Sequence, residues 1–153
     1  MNEVKVYSEA IQYIKIAVGD EFYGIDIGII DNIVRMQRIT RVPNVAPYIK
    51  GVINLRGEIV PIMNLRLKMG IPEIEYTKTT RIIIIKTEAV GKIGLIVDAV
   101  KEVVALDDTQ IEKLPYDNSD ENHFVSAVGK IENTLISLLD IGAVLAEKQI
   151  REE

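Results

Sequence analysis

Short apolar runs, separated by glycine, asparagine, aspartate or proline, dominate this chain. Isoleucine, valine and leucine supply most of the apolar residues, and such runs are typical of β-strands. The predicted strands span residues 11–18, 21–27, 51–55, 58–63, 81–87, 92–97, 101–106, 125–131 and 134–139. Residues suited to tight hairpin turns lie between them, namely Gly19-Asp20, Arg56-Gly57, Gly91 and Glu132-Asn133.

Helical spacing occurs in only two places. Apolar residues three to four positions apart predict a short helix over 27–34, and a terminal helix over 141–148 follows Asp140, which is a candidate N-cap. Pro61 lies inside an apolar run and lacks the backbone donor of an interior strand, so it predicts an edge strand or a bulge.

The strand pattern occurs twice along the chain. Gly24-Ile25-Asp26-Ile27 and Gly94-Leu95-Ile96-Val97 begin segments that match at an offset of 70 (94 − 24), and Asn64-Leu65 matches Asp140-Ile141 at an offset of 76 (140 − 64). The polar segment 116–122 can supply the six extra residues. A duplication predicts two similar β units related by a pseudo-two-fold axis. A general likeness among aliphatic strands is the alternative explanation.

Length and charge narrow the class of protein. The 153 residues are 48% hydrophobic, which suits one compact unit. Apolar residues never run on for about 18 positions, so a cytoplasmic protein without membrane insertion is predicted. There is no cysteine, and a net charge of −5 argues against a nucleic-acid partner.

The residues offer little material for catalysis. The only histidine, His123, ends the polar run 117–123, which lacks the glycine and the distal glutamate of an EF-hand and is interpreted as a solvated loop. Adjacent acids such as Asp107 and Asp108 are common on surfaces, and no phosphate-binding glycine pattern occurs. We therefore predict no enzymatic activity, no metal and no cofactor.

Arginines stand out at two places. Arg35, Arg38 and Arg41 recur every third residue without interleaved aromatic residues, which indicates a solvated face or ion pairs with nearby acids. Arg56 is predicted at a hairpin tip, where Gly57 supplies the positive φ that arginine adopts poorly.

Residues 51–66, GVINLRGEIVPIMNLR, with Ala46-Pro47-Tyr48-Ile49-Lys50 before them, closely resemble the signature of the chemotaxis coupling family CheW. Thr40-Arg41-Val42-Pro43 and the two segments beginning at Gly24 and Gly94 extend the resemblance over nearly the whole chain. It implies an all-β CheW-like domain over 9–148 with short helices and a C-terminal helix. Two SH3-like five-stranded β-barrel subdomains, approximately 20–80 and 81–140, would be related by a pseudo-two-fold, with the terminal segments crossing between them.

The same resemblance implies a function. A stand-alone protein of this family would be a cytoplasmic, non-enzymatic adaptor that couples chemoreceptors at inner-membrane arrays to the histidine kinase CheA. Its implied partners are the regulatory domain of CheA and the hairpin tips of the receptors, and the free protein is expected to be monomeric. The alternatives are a CheW-like scaffold of a non-flagellar pathway and a small-ligand-binding double β-barrel with its cavity between the two units.

The resemblance also assigns residues. Arg56 matches the family's signalling arginine, Gly51 and Gly57 match its flanking glycines, and Ile30 and Val103 match positions of receptor and kinase contact.

The two segments that match at an offset of 70, beginning at Gly24 and Gly94, carry further candidate interaction residues. The side chains expected to be exposed and to line the receptor groove are those of Ile30, Ile33, Val100 and Val103, because the two segments have more aliphatic residues than a small barrel core needs. Asn32 stands where the family often has a glutamate that pairs with the arginine, and its amide could still accept a hydrogen bond. The predicted interaction residues are Ile30, Asn32, Ile33, Gly51, Asn54, Arg56, Gly57, Val100 and Val103.

Overall fold

The structure is a computed structural model, and it describes residues 10–115 and 124–146. Most of these residues are in strands, which confirms the all-β prediction with short helices and a C-terminal helix. In chain order the elements are β1 (Ile11–Val18), β2 (Glu21–Asp26), β3 (Ile30–Arg35), β4 (Ile49–Leu55), β5 (Glu58–Asn64), α1 (Leu65–Lys68), β6 (Arg81–Thr87), β7 (Gly91–Val97), β8 (Ala99–Leu106), β9 (Ile111–Lys113), β10 (Val125–Ile131), β11 (Thr134–Leu139) and α2 (Ile141–Leu145).

The strands form two sheets. Sheet A has six strands in the order β8-β1-β2-β11-β10-β9, and sheet B has five in the order β3-β6-β7-β5-β4. Each sheet has two free edges within the described residues, so neither barrel is closed, yet both are consistent with SH3-like subdomains. The sheets do not follow the ranges 20–80 and 81–140, because sheet A joins β1 and β2 to strands that begin at β8.

The strand pairing shows the internal duplication directly. In sheet B, Ile62 of β5 pairs in parallel with Gly94 of β7, and in sheet A Leu138 of β11 pairs in parallel with Gly24 of β2. These are the same positions under the two offsets (94 − 24 and 138 − 62). Each sheet takes two strands from one repeat and the rest from the other, so the repeats exchange strands.

The apolar side chains of the described residues pack in three clusters, of which one joins the two sheets. One cluster lies on a face of sheet B and includes Val60 and Ile82, and a second lies on the equivalent face of sheet A around Ile136. The third, here called the shared core, joins the two sheets through side chains such as Ile16 of β1 and Ile83 of β6, both fully buried. Because β6 alternates between two clusters, both of its faces are buried.

The predicted short helix over 27–34 is wrong. A single 3-10 turn at Ile27–Ile29, capped by the carboxylate of Asp26, leads directly into β3. A β-bulge between Ile30 and Asn32 changes the register of β3 on β6, so that Ile30 and Ile33 both pack against the shared core. The bulge therefore produces a three-residue spacing on one face, which imitates helical periodicity.

Smaller differences concern strand ends and short elements. The predicted edge strand or bulge at Pro61 is wrong, because β5 lies between β7 and β4 in sheet B and the bulge of the β4–β5 pair falls between Ile49 and Gly51. Pro61 pairs with Val52 of β4, and the pairing of β5 with β7 begins only at Ile62, so the missing donor of Pro61 interrupts no pair with β7. The sequence did not predict α1 or β9. The helix α2 ends at Leu145 with Ala146 as an extended C-cap, so it is shorter than predicted, and 147–148 lie outside the described residues.

Candidate functional site

The β4–β5 hairpin carries Arg56 at its tip. Arg56 has a φ of 53° and Gly57 a φ of 86°, so both central residues of the turn adopt the left-handed conformation. The expectation that glycine alone would supply the positive φ is therefore corrected. Oδ1 of Asn54 accepts a hydrogen bond of 2.9 Å from the Gly57 amide and closes the turn. Asn54 thus stabilises the geometry that presents the arginine.

Arg56 itself is exposed and makes no hydrogen bond or ion pair with any described residue. Its predicted hydrogen bond to Asn32 is not formed, since Oδ1 of Asn32 accepts from the Ile33 amide at 2.9 Å instead. The two residues also lie on strands that sheet B separates, β3 and the β4–β5 hairpin. The guanidinium is therefore available to a partner molecule.

A lysine that the sequence analysis missed forms ion pairs beside this hairpin. Nζ of Lys92 on β7 lies 2.8 Å from Oε1 of Glu58 and 3.6 Å from Oδ2 of Asp31. The hydrogen bond that Lys92 donates to Glu58 and the nearby charge of Asp31 raise the pKa of Lys92. These ion pairs connect β3, β5 and β7, and only the tertiary fold brings their residues together.

The predicted groove residues lie on β3 and β8, which are the edge strands of sheets B and A. Ile30, Ile33 and Val100 are half-buried and pack against the shared core, whereas Val103 is 48% exposed. The expectation that all four are exposed is corrected, because the bulged edge strands turn three of them inward. Val103 is the aliphatic side chain of this set that remains open to a partner.

Gly51 lies on β4 before the hairpin tip, where the backbone of Thr40 approaches it closely. It is buried with a φ of 142°, and a Cβ atom there would lie 2.0 Å from the carbonyl oxygen of Thr40. The close approach allows the bridge in which Thr40 and Val52 exchange hydrogen bonds of 2.8 and 2.9 Å. Gly51 therefore preserves the backbone path that leads to the hairpin.

A second polar cluster lies where α1 meets β7 and the β1–β2 turn. Nη2 of Arg66 is 2.8 Å from Oδ2 of Asp98, and the same carboxylate accepts a 2.8 Å hydrogen bond from the Gly19 amide. Burial opposes ionisation, but the hydrogen bonds from Arg66 and Gly19 hold the pKa of Asp98 below its usual range. This cluster joins elements of both sheets.

The described part of the chain does not support a metal site, a membrane-spanning helix or a ligand cavity between the two units. No three histidine, cysteine, aspartate or glutamate side chains cluster as metal ligands in residues 10–115 and 124–146. His123 and the polar run 117–123 lie outside the described residues. No helix in the described ranges is long and apolar enough to cross a bilayer. The alternative of a ligand cavity between the two units finds no support in the described residues, where the shared core joins the two sheets.

The pairing pattern, the two sheets and the hairpin define a duplicated two-sheet domain of the SH3-like class. A family model described as a CheW-like domain matches residues 12–149. The chain belongs to this family, which confirms the resemblance seen in the sequence.

Individual relatives agree with the family assignment. The chain is 39% identical to the chemotaxis protein CheW of Bacillus subtilis, over 84% of this chain and 82% of the relative. It is 33% identical to the chemotaxis protein CheW of Helicobacter pylori, over 90% and 82%. The scaffolding protein TtCheW of Thermoanaerobacter tengcongensis superimposes with a TM-score of 0.78 at 34% identity, over 86% of this chain and 89% of that chain.

Proposed function

We propose that this protein is a chemotaxis adaptor that couples chemoreceptors to the histidine kinase CheA. The observation that carries the proposal is the match to the CheW-like domain over residues 12–149, which includes nearly every described residue. Relatives named chemotaxis protein CheW and a structurally similar scaffolding protein support the same role.

The interaction surface has two parts in this proposal. The first is the hairpin tip, where Asn54 fixes the turn and Arg56 has no partner among the described residues. The second is the pair of edge strands β3 and β8, with Val103 as the exposed aliphatic contact. Ile30, Ile33 and Val100 support this surface from below by packing on the shared core, and Asn32 lies between them.

The remaining parts of the proposal follow from the adaptor role. The protein acts without catalysis or cofactor, in the cytoplasm, as a monomer that receptor arrays recruit. Its partners are the regulatory domain of CheA and the receptor hairpin tips. A small-ligand site between the units is disfavoured because buried aliphatic residues such as Leu65 and Leu95, each 0% exposed, occupy that region. A scaffold of a non-flagellar pathway would share this surface and differ in its receptors.

A binding assay with the purified regulatory domain of CheA tests class and partner together. We expect the wild-type protein to be retained on the immobilised domain. In a second assay, with receptors present, Val103→Asp should lose receptor-dependent kinase activation. The matched control is Val90→Asp, because Val90 is also an exposed valine, at 51% against 48%. Absence of any binding to the kinase domain and to receptor hairpins would contradict the proposed function. Equal loss with Val90→Asp would contradict the location of the surface.

A further inference from the structure

Two arginines face each other across the edge of sheet B. Arg35 on β3 and Arg81 on β6 are directly paired in the antiparallel register. Like charges in this position lie roughly 5 Å apart at Cβ and destabilise a sheet. Arg35 and its neighbour Lys78 have no ion pair with any described residue, and neither has Arg81. Three cations therefore lie together without an anion from the described part of the chain.

The duplication provides an internal comparison for this pair. The equivalent cross-strand pair in sheet A is Gln12 with Ala105, at offsets of 69 (81 − 12) and 70 (105 − 35). The same fold therefore forms with a neutral pair at this position. The arginine pair is an addition to sheet B that the architecture does not require.

An open pocket of about 430 Å³ lies at the arginine pair. Its lining consists of the three cationic side chains together with Met36, Thr77 and Thr80. Nη1 of Arg81 donates hydrogen bonds of 2.8 and 2.9 Å to the carbonyl oxygens of Lys78 and Thr80. This contact fixes the guanidinium plane and leaves its other donors without a partner among the described residues, which favours bidentate recognition of a carboxylate.

We propose that Arg35, Lys78 and Arg81 form a docking site for an acidic segment of a protein partner. The cluster is local on a chain of net charge −5, so a long polyanion such as nucleic acid would meet repulsion beyond it. A short stretch of aspartate or glutamate side chains reaches the pocket without that cost. The site lies at the end of β3, past Ile33, and goes beyond the adaptor function proposed above.

A titration followed by NMR tests this site, with tetraglutamate peptide as the probe and the full-length protein as the target. We expect saturable shifts of the amide resonances confined to the neighbourhood of residues 35–36 and 77–81. The affinity for the peptide should fall as ionic strength rises. The double variant Arg35→Ala/Arg81→Gln installs the residues that sheet A already carries. It should fold, melt no earlier than the wild type, and bind the peptide about tenfold more weakly.

Controls separate the possible results. Lys86→Gln makes the same charge change as the single variant Lys78→Gln, at an exposed position at the other end of β6, and should alter affinity by less than about twofold. Lys78→Gln should weaken binding and gives a second test if the double variant unfolds. Absence of saturable shifts, or equal weakening by Lys86→Gln, would overturn the site. Inorganic phosphate binding as tightly as the peptide at matched ionic strength would overturn the acidic-segment assignment.

Discussion

Replacing Arg56 by glycine should leave the protein as stable as before while kinase control is lost. A left-handed conformation costs a non-glycine residue about 1–2 kcal/mol, and Arg56 has a φ of 53°. Glycine removes that cost but loses about 0.5–1 kcal/mol more backbone entropy on folding. Since Arg56 has no hydrogen bond or ion pair with a described residue, the substitution breaks no such contact within the described part of the chain. The two effects nearly cancel, and the unfolding free energy should change by less than about 1 kcal/mol.

The second repeat supplies a matched control at Glu132. Glu132 lies 76 positions after Arg56 (132 − 56), at the tip of the equivalent β10–β11 hairpin, with a φ of 54°. Glu132→Gly should therefore change the unfolding free energy in urea by a similar amount. The two variants should differ in a reconstituted receptor array, where Arg56→Gly alone disturbs kinase activation. Arg56→Lys should restore activation only in part, because lysine keeps the charge and loses the planar fork.

Two results would refute this reasoning. Normal kinase activation by Arg56→Gly would show that the residue is not part of the signalling surface. A loss of several kcal/mol with Arg56→Gly but not with Glu132→Gly would show that the arginine supports the fold instead.

Three further predictions rest on the same structure. Val103→Asp should change the unfolding free energy in urea by less than about 1 kcal/mol, whereas Ile30→Asp should cost about 2 kcal/mol or more because its side chain packs on the shared core; equal effects would contradict the burial difference. Asp98→Asn should lower the melting temperature at pH 7. The difference from the wild type should vanish as the pH falls below 3.8 and through the lowered pKa of Asp98, because the carboxylate of the wild type is then protonated and loses its ion pair with Arg66 as well. A difference in melting temperature that persists at low pH would exclude an ionic origin. Gly51→Ala should destabilise the protein in urea by about 2 kcal/mol or more, because its Cβ would lie 2.0 Å from a backbone oxygen of Thr40; a change within about 0.5 kcal/mol would contradict this contact.

Local sequence was sufficient for most strands because each is a short run rich in aliphatic residues and bounded by turn residues. The hairpin turn at Arg56-Gly57 and the turn at Gly91 were located correctly on this basis. The same local signals failed over 27–34. There the spacing of Ile30 and Ile33 depends on a bulge, which exists only because β3 pairs with β6 more than 45 residues later.

Local sequence located some of the candidate interaction residues, whereas others became evident only in the tertiary structure. Arg56 and Gly57 could be located from the sequence, because a turn signal and a family motif coincide there. The ion pairs of Lys92 could not, because Asp31 and Glu58 are remote in sequence and meet it only across sheet B. The burial of Ile30 was equally hidden, since it depends on which face of an edge strand meets the other sheet.

By itself, the sequence determined the strand-rich class, the two repeats with their offsets, the hairpin turns and the family, since each of these depends on residue types within short windows or on matches between them. The tertiary structure alone decided that the repeats exchange strands, so that Ile62 pairs with Gly94 and Leu138 with Gly24. It also decided which aliphatic residues enter the shared core and that Arg35 faces Arg81. The physical reason is that strand partners and burial are set by long-range packing, whose free energy depends on all the strands together and not on any one segment.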